Sequence, residues 1–491
     1  MASDVYKFRS TYFNFLESKL KLKPKEVNFN KETSRAAHRT DEYVNKGLIV
    51  RRGQEFKITV TFNRPFDDKQ DSVILQLSFD DAVYMKNEDQ RQEYVLEDKG
   101  KIWCGNIYYG RPWNFGQFEE PSLKVCLYLL EISKMASSAR GNPTMVCRNI
   151  SQMLLCVNSN CNDDDGGVLW GRWASEYPEG STRPTAWPGS VKILEEYSRT
   201  HKSVRYGQCW VFSGLVTTLL RALGIPTRSV TNFQSAHDHD ASMTIDFHVD
   251  KDGESLNHLN DSVWNYHVWN ESYFARPDLS PGYGGWQVHD ATPQETSDGI
   301  FCCGPCPVKA IKWGDVHLPY DAGFVFGEVN GDRIYWEVDE TTGDMEVIRI
   351  EECAVGKNIS TKAVGSNARE DLTQYYKHMD GMNIFSYIAY WSLEERKVVR
   401  KVNEHSSISS LDIYKPSAED VEFKIILPVD NLLFGDNFRV ELYIKNTSDE
   451  NRNVKYSMSA KLMFYTGVVI ERINGQHDDV ELKGNEGNMI G

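Results

Sequence analysis

The chain has 491 residues, of which 40% are hydrophobic, 25% charged and 12% aromatic, with 35 Gly and 17 Pro. Those proportions exclude a disordered or collagen-like chain, and the length asks for several domains of about 100 to 200 residues each. A formal charge of -15 argues against a nucleic-acid surface and for cationic partners, metal ions included.

Residues 1–45 are polar and lysine-rich without sustained periodicity and read as an N-terminal arm. From residue 46 the pattern alternates. Phe56, Ile58, Val60 and Phe62, then Val73, Leu75, Leu77 and Phe79, predict two half-buried strands. Two strands are too few to stand alone, so residues 46–80 read as an incomplete β-sandwich. Residues 81–401 form a mixed region rich in Trp, Gly and Cys. Its clearest helix starts near Gln208, carries Phe212, Leu215, Val216, Leu219, Leu220 and Leu223 at helical spacing, and stops at Gly224 and Pro226. Strands are expected over 227–232, 243–249, 263–269 and 286–290, which gives an α+β arrangement. Residues 402–421 read as a polar linker. Alternating runs at 423–427, 438–444 and 454–464 make 422–491 an all-β domain of about four strands, too few to close a barrel.

No run of about 18 apolar residues and no short apolar leader are present, and the ten cysteines are scattered, so a soluble cytoplasmic protein with reduced thiols is expected. Cys302, Cys303 and Cys306 include one CxxC without the second pair that zinc requires, and they read as free thiols on a loop.

Cys209 falls in the first turn of the strong helix, where orphan N–H groups and the helix dipole favour a thiolate. It is a nucleophile if a base reaches it and a packed core thiol otherwise. His267 lies in a strand pattern, and Asp290 follows at the end of another. Helix-borne Cys, strand-borne His and a later acid follow the chain order of papain-like thiol enzymes. His289 is a rival base. Adjacent strand residues point to opposite faces, so only one of His289 and Asp290 can share the face that sees His267. AHDHDASMTID places oxygen donors Asp238, Asp240, Ser242 and Thr244 at alternate positions, with Asp261 later. A hard cation such as calcium wants such a set, although an exposed strand face would look the same.

The segments YGQCWVF, SAHD, VWNYHVWNE, GGWQVHDATPQE and FCCGP resemble the animal transglutaminase family, nearest its keratinocyte and coagulation factor XIII A branches. The likeness runs from about Gly47 to the C-terminus. It implies a papain-like core between β domains, an incomplete N-terminal β-sandwich and a truncated C-terminal immunoglobulin-like barrel. It also implies a calcium-dependent protein-glutamine γ-glutamyltransferase that joins protein glutamines to lysines or other primary amines. By this resemblance Cys209 is the nucleophile, His267 the base and acid, Asp290 its orienting group, Trp173 the oxyanion partner and Trp264 a wall of the amine tunnel. Calcium sites would fall on Asp238, Asp240, Ser242, Thr244 and Asp261, on Asn160, Asn162 and Asp164, and on Asn330, Asp380 and Glu395. The last set departs from the family pattern, because the insertion MNIFSYIAYW separates its two acids. A solvated polar face explains those residues equally well. The family allows a homodimer, and the short flanking β domains leave a catalytically idle scaffold as the rival reading.

Overall fold

A computed structural model describes residues 22–38, 48, 50, 55–67, 69, 71, 83, 85–156, 167–256, 261–297, 299–378, 396–402, 420–426, 439–463 and 469–490. Within the expected arm, Pro24–Asn28 forms a strand that pairs antiparallel with Thr59–Phe62, and Lys31–Ala37 forms a short helix. The second expected strand, 73–79, lies outside the described residues.

The central region is built around helices α1 (Glu120–Ile132), α2 (Pro143–Leu154), α3 (Val191–Thr200) and α4 (Cys209–Ala222). Every residue of α4 is buried, as expected of a helix that is apolar on all sides. Its few polar side chains are satisfied locally. Thr218 Oγ1 donates to Phe115 O at 2.9 Å, and Arg221 reaches Thr227 O at 2.9 Å and Glu97 O at 2.6 Å. Such pairing is what makes their burial tolerable. Close packing also dictates Gly214, where an added Cβ would come within 2.4 Å of the Trp113 indole. Gly224 takes a left-handed φ of 79° and ends the helix, with Ile225 N–H donating back to Leu220 O at 3.0 Å.

Against these helices stands a six-stranded antiparallel sheet. Its strands are β1 (Thr227–His237), β3 (Ser262–Phe274), β4 (Gly285–Asp290), β5 (Cys303–Pro307), β8 (Lys357–Lys362) and β9 (Arg369–Asp371), ordered β5-β4-β3-β1-β8-β9. Strand β2 (Thr244–Val249) belongs to a second sheet, beside the hairpin of β6 (Asp332–Val338) and β7 (Met345–Glu351). Helix α4 is fastened to the large sheet by polar stitches as well as apolar contact. Ser213 Oγ donates to Trp269 O at 2.9 Å, and Asn270 Nδ2 donates to Ser213 O at 3.0 Å and to Thr217 Oγ1 at 2.9 Å. One apolar cluster lies on the helix side (Phe212, Leu215, Tyr266, Val268) and another on the far side with helix α5 (Ala322–Asn330) (Trp269, Val288, Phe326, Ile359).

The expected cysteine loop is instead partly strand: Cys303–Pro307 pairs with β4, Asp290 opposite Cys303 and Val288 opposite Cys306. Cys302, Cys303 and Cys306 are buried. In the C-terminal region Val421–Ile426, Glu441–Asn446 and Gly487–Ile490 form a three-stranded sheet, and Arg452–Met463 pairs with Val469–Leu482. Leu442, Ile444, Val454, Tyr456 and Leu482 make its core. No helix among the described residues is long and apolar enough to cross a membrane.

Candidate active site

Strand register settles which neighbour of His267 shares its face. Asn270 pairs with His289 across β3 and β4, so their side chains lie on one face, while Asp290, one residue on, lies on the other with His267 and Trp269. The carboxylate of Asp290 approaches the imidazole accordingly: Oδ2 is 2.6 Å from His267 Nε2, and both side chains are almost wholly buried. Thr292 N–H donates to Asp290 Oδ1 at 2.8 Å and fixes the other oxygen. The rival His289 is held between Ser272 Oγ at 2.8 Å and Ser151 Oγ at 3.2 Å. Burial, only partly offset by the charge of Asp290, lowers its pKa to about 3, so it stays neutral.

Cys209 opens α4, with Gln208 extended before it and Gln208 O accepting from Val211 and Phe212 N–H. The thiol is fully buried and hydrogen-bonds to the His267 imidazole. Nδ1 is the buried ring nitrogen turned away from Asp290. Burial alone would make the imidazole less basic. The Asp290 charge and hydrogen bond, with the thiol's contribution, outweigh burial and hold the His267 pKa well above its ordinary value. The three groups that spacing singled out therefore converge, with Asp290 rather than His289 as the partner.

The Trp264 ring meets His267 edge-on at a centroid distance of 4.9 Å and is buried. Trp173 is half-buried against the cluster that contains Cys209, its ring tight against Gly171. Tyr266 and Cys104 also lie in the electrostatic neighbourhood of Cys209.

Two participants escaped the sequence reading. Gln294 Nε2 lies 3.0 Å from His267 Nε2 and donates to Asp290 Oδ2 at 3.2 Å and to Glu328 Oε1 at 2.9 Å. Glu328, from α5, is buried with Oε1 4.0 Å from His267 Nε2. Burial pushes its carboxyl up to about 8, against the lowering influence of His267, so it is neutral near pH 7 and Asp290 is the carboxylate that balances the imidazolium. The GGWQVHDATPQE segment contained Gln294, but no local pattern pointed to Glu328.

Carboxylate oxygens of Asp238 and Asp240, on the loop between β1 and β2, and of Asp261, just before β3, lie within 4.8 Å of one another. Ser242 N–H donates to Asp238 at 3.1 Å and to Asp240 at 3.0 Å, Met243 N–H donates to Asp238 at 2.8 Å, and His239 N–H donates to Asp261 at 2.8 Å. Burial and then mutual repulsion raise Asp238 to about 7, while burial raises Asp261 to about 6. A cation would relieve that repulsion, and the hard oxygen set suits calcium. The Ser242 and Thr244 hydroxyls are hydrogen-bonded to Asp246 Oδ2, at 3.1 and 2.6 Å, so neither side chain is turned to the cluster. Asp246 continues the alternation 238, 240, 242, 244, and that periodicity could have found it. Asn330 is buried at the end of α5. Asn160, Asn162, Asp164, Asp380 and Glu395 lie outside the described residues.

Family models for the transglutaminase family match residues 25–109 and, as its C-terminal ig like domain, 421–490, and the transglutaminase-like superfamily core matches 182–291. Human protein-glutamine gamma-glutamyltransferase K is 46% identical over 412 residues, 83% of this chain and 48% of that protein. Human protein-glutamine gamma-glutamyltransferase 4 is 40% identical over 428 residues, 85% and 60% of the two chains. A hemocyte protein-glutamine gamma-glutamyltransferase of Tachypleus tridentatus is 41% identical over 423 residues, 84% and 53%. The chain spans about half the length of the curated relatives it matches. The crystal structure of red sea bream transglutaminase superposes with a TM-score of 0.71 at 32% identity, covering 95% of this chain and 78% of that one. A Cys-His-Asp cluster built from the start of a buried helix and two strands of an antiparallel sheet, three matching family models and this structural likeness agree, and the chain belongs to the transglutaminase family.

Proposed function

We propose that the chain is a calcium-dependent protein-glutamine γ-glutamyltransferase. The observation that carries the reading is the buried line from the Cys209 thiol through His267 to Asp290, with 2.6 Å between imidazole and carboxylate. In the first half-reaction the Cys209 thiolate attacks the side-chain amide carbon of a protein-bound glutamine. The C–N bond breaks as His267 gives its proton to the departing ammonia, and a thioester remains on Cys209. In the second, His267 takes a proton from an incoming lysine amine while that nitrogen attacks the thioester. The C–S bond breaks, the thiolate is regenerated, and an isopeptide joins the two proteins. Asp290 holds the proton on Nε2 so that Nδ1 faces sulfur, and it stabilises the imidazolium. Trp264 would wall the approach to His267 and Trp173 would support the oxyanion; both would limit water, which diverts the thioester to deamidation.

Asp238, Asp240 and Asp261 would hold calcium, with backbone oxygens completing the set. Those carboxylates, two on the β1–β2 loop and one at the start of β3, would have two of their three negative charges offset by a bound calcium ion and would join the two segments through it. The proposal is tested by incorporation of a labelled primary amine into casein by the full chain, with and without chelator, and with Cys209→Ala. Incorporation lost in both controls supports it; no incorporation by folded wild-type protein leaves the idle scaffold.

A further inference from the structure

We infer that His237, His239 and Glu295 form a binding site for a divalent transition-metal ion of the zinc class, back to back with the carboxylate cluster on the same loop. One ligand atom from each residue lies within 4.8 Å of the other two. His237 Nε2 is 2.8 Å and His239 Nδ1 2.6 Å from the same Glu295 oxygen, Oε1. The chain alternates here. His237, the last residue of β1, and His239 turn their rings to Glu295, while Asp238 and Asp240, between and beyond them, turn toward Asp261. Two chemically different donor sets thus occupy opposite sides of four consecutive residues.

The site is supported. The His237 ring packs edge-on against Trp264 at 5.9 Å and Phe324 at 6.0 Å, and the His239 backbone is anchored by its N–H on Asp261. It is also accessible: the side chains of His237, Glu295 and His239 are 15%, 28% and 44% exposed, which leaves room for water to complete the coordination.

Donor chemistry selects the ion. Calcium and magnesium take oxygen and discriminate against imidazole, whereas two imidazole nitrogens and one carboxylate oxygen with an open position suit zinc. Zinc bonds of about 2.0 to 2.1 Å place tetrahedral ligands roughly 3.3 Å apart. The present contacts of 2.6 and 2.8 Å therefore open slightly on binding, a movement that the half-exposed His239 can make. The competing account is two imidazoles sharing one carboxylate as a purely structural cluster. Neither account depends on the transferase reading, because the expected readout is binding.

The test titrates Zn2+ into the full chain carrying Cys209→Ala, which removes the reactive thiol as a ligand, against a chromophoric chelator. Co2+ serves as a visible-absorption probe, and thermal melts verify folding. The expected result is one Zn2+ per chain with a Kd below roughly 1 μM, weakened at least about tenfold by His239→Gln and by Glu295→Gln, with Co2+ bands showing nitrogen ligation. Asp261→Asn, in the oxygen cluster, should change zinc affinity by less than about threefold. The inference is overturned if the parent binds no zinc tighter than about 100 μM, if both His239→Gln and Glu295→Gln bind as the parent does, or if Asp261→Asn weakens zinc more than they do.

Discussion

Replacing Asp290 by Asn tests the charge balance of the site while hardly altering its shape. The carbonyl of the new side-chain amide can still accept from Thr292 N–H, as Asp290 Oδ1 does at 2.8 Å, so the turn is kept. What changes lies at Oδ2, 2.6 Å from His267 Nε2. Both side chains are nearly inaccessible, at 0% and 5% exposure, so solvent screens the pair little. With charge centres about 4 Å apart and an effective dielectric constant near 20, the lost attraction is about 4 kcal/mol, an upper bound equivalent to about a thousandfold in rate. A second effect acts in the same direction. An amide nitrogen facing Nε2 makes that atom the acceptor, puts the proton on Nδ1 and turns the wrong tautomer to sulfur, a change that costs about ten-thousandfold in a serine triad. Amine incorporation should therefore fall by about 10²- to 10⁴-fold. Because the wild-type imidazole holds its proton to higher pH than an ordinary histidine, the alkaline limit of the thiolate–imidazolium pair should move to lower pH in the variant. Iodoacetamide alkylation of Cys209 as a function of pH reads that limit directly. A folded variant whose alkylation profile coincides with wild type and whose turnover stays within about threefold would refute the reasoning.

Four other substitutions probe the surroundings. His289→Asn should leave turnover within about tenfold while costing about 1–3 kcal/mol in urea unfolding, because Ser272 and Ser151 lose their partner and the reacting groups do not. Asp261→Asn should reduce the calcium-induced rise in melting temperature, which for wild type at a hundred times Kd corresponds to about 2.7 kcal/mol. With Asp238 raised to about 7 and Asp261 to about 6, protons compete, so the wild-type midpoint should need more calcium as pH falls from about 8 to about 5. Glu271→Gln strands Arg228, whose guanidinium lies 2.7 Å from Glu271 in a fully buried pair, and should cost about 3–5 kcal/mol in chemical denaturation. Glu328→Gln removes a carboxyl that the fold holds protonated. Raised from 4.5 to about 8, it lends stability in full below about pH 4.5 that is lost as pH rises toward 8, a span worth up to about 5 kcal/mol. The Glu328→Gln variant should therefore gain on wild type over that range, and parallel pH–stability curves would contradict the buried neutral acid.

Legibility from the chain followed the range of the interaction. Helix α4 announced itself because Phe212, Leu215, Leu219 and their neighbours repeat at helical spacing and Gly224 stops them. Strands β1 to β4 fall where they were expected, although β1 and β3 each run five residues past their expected ends. Parity on β4 put His289, the rival base, and Asp290, the expected acid, on opposite faces, but which face meets His267 is fixed by the inter-strand register, which pairs His289 with Asn270 and is a property of two strands. Strand β5 was missed since Gly304 and Pro305 are turn residues by habit; here the strand is fixed by pairing with β4, and a Cβ at Gly304 would come within 2.1 Å of Val288 O. Glu328 was beyond reach for a stronger reason. Its apolar neighbours in AGFVFGEVN mark it as an acid on a buried helix, but only the folding of α5 onto the far side of the sheet brings it to 4.0 Å from His267. The nucleophile, base and acid were thus readable as residue types in chain order. Glu328, whose own carboxyl is influenced by His267 and Asp290, lies between 38 and 119 residues from each of them along the chain, and which groups meet at a buried site is decided by the fold.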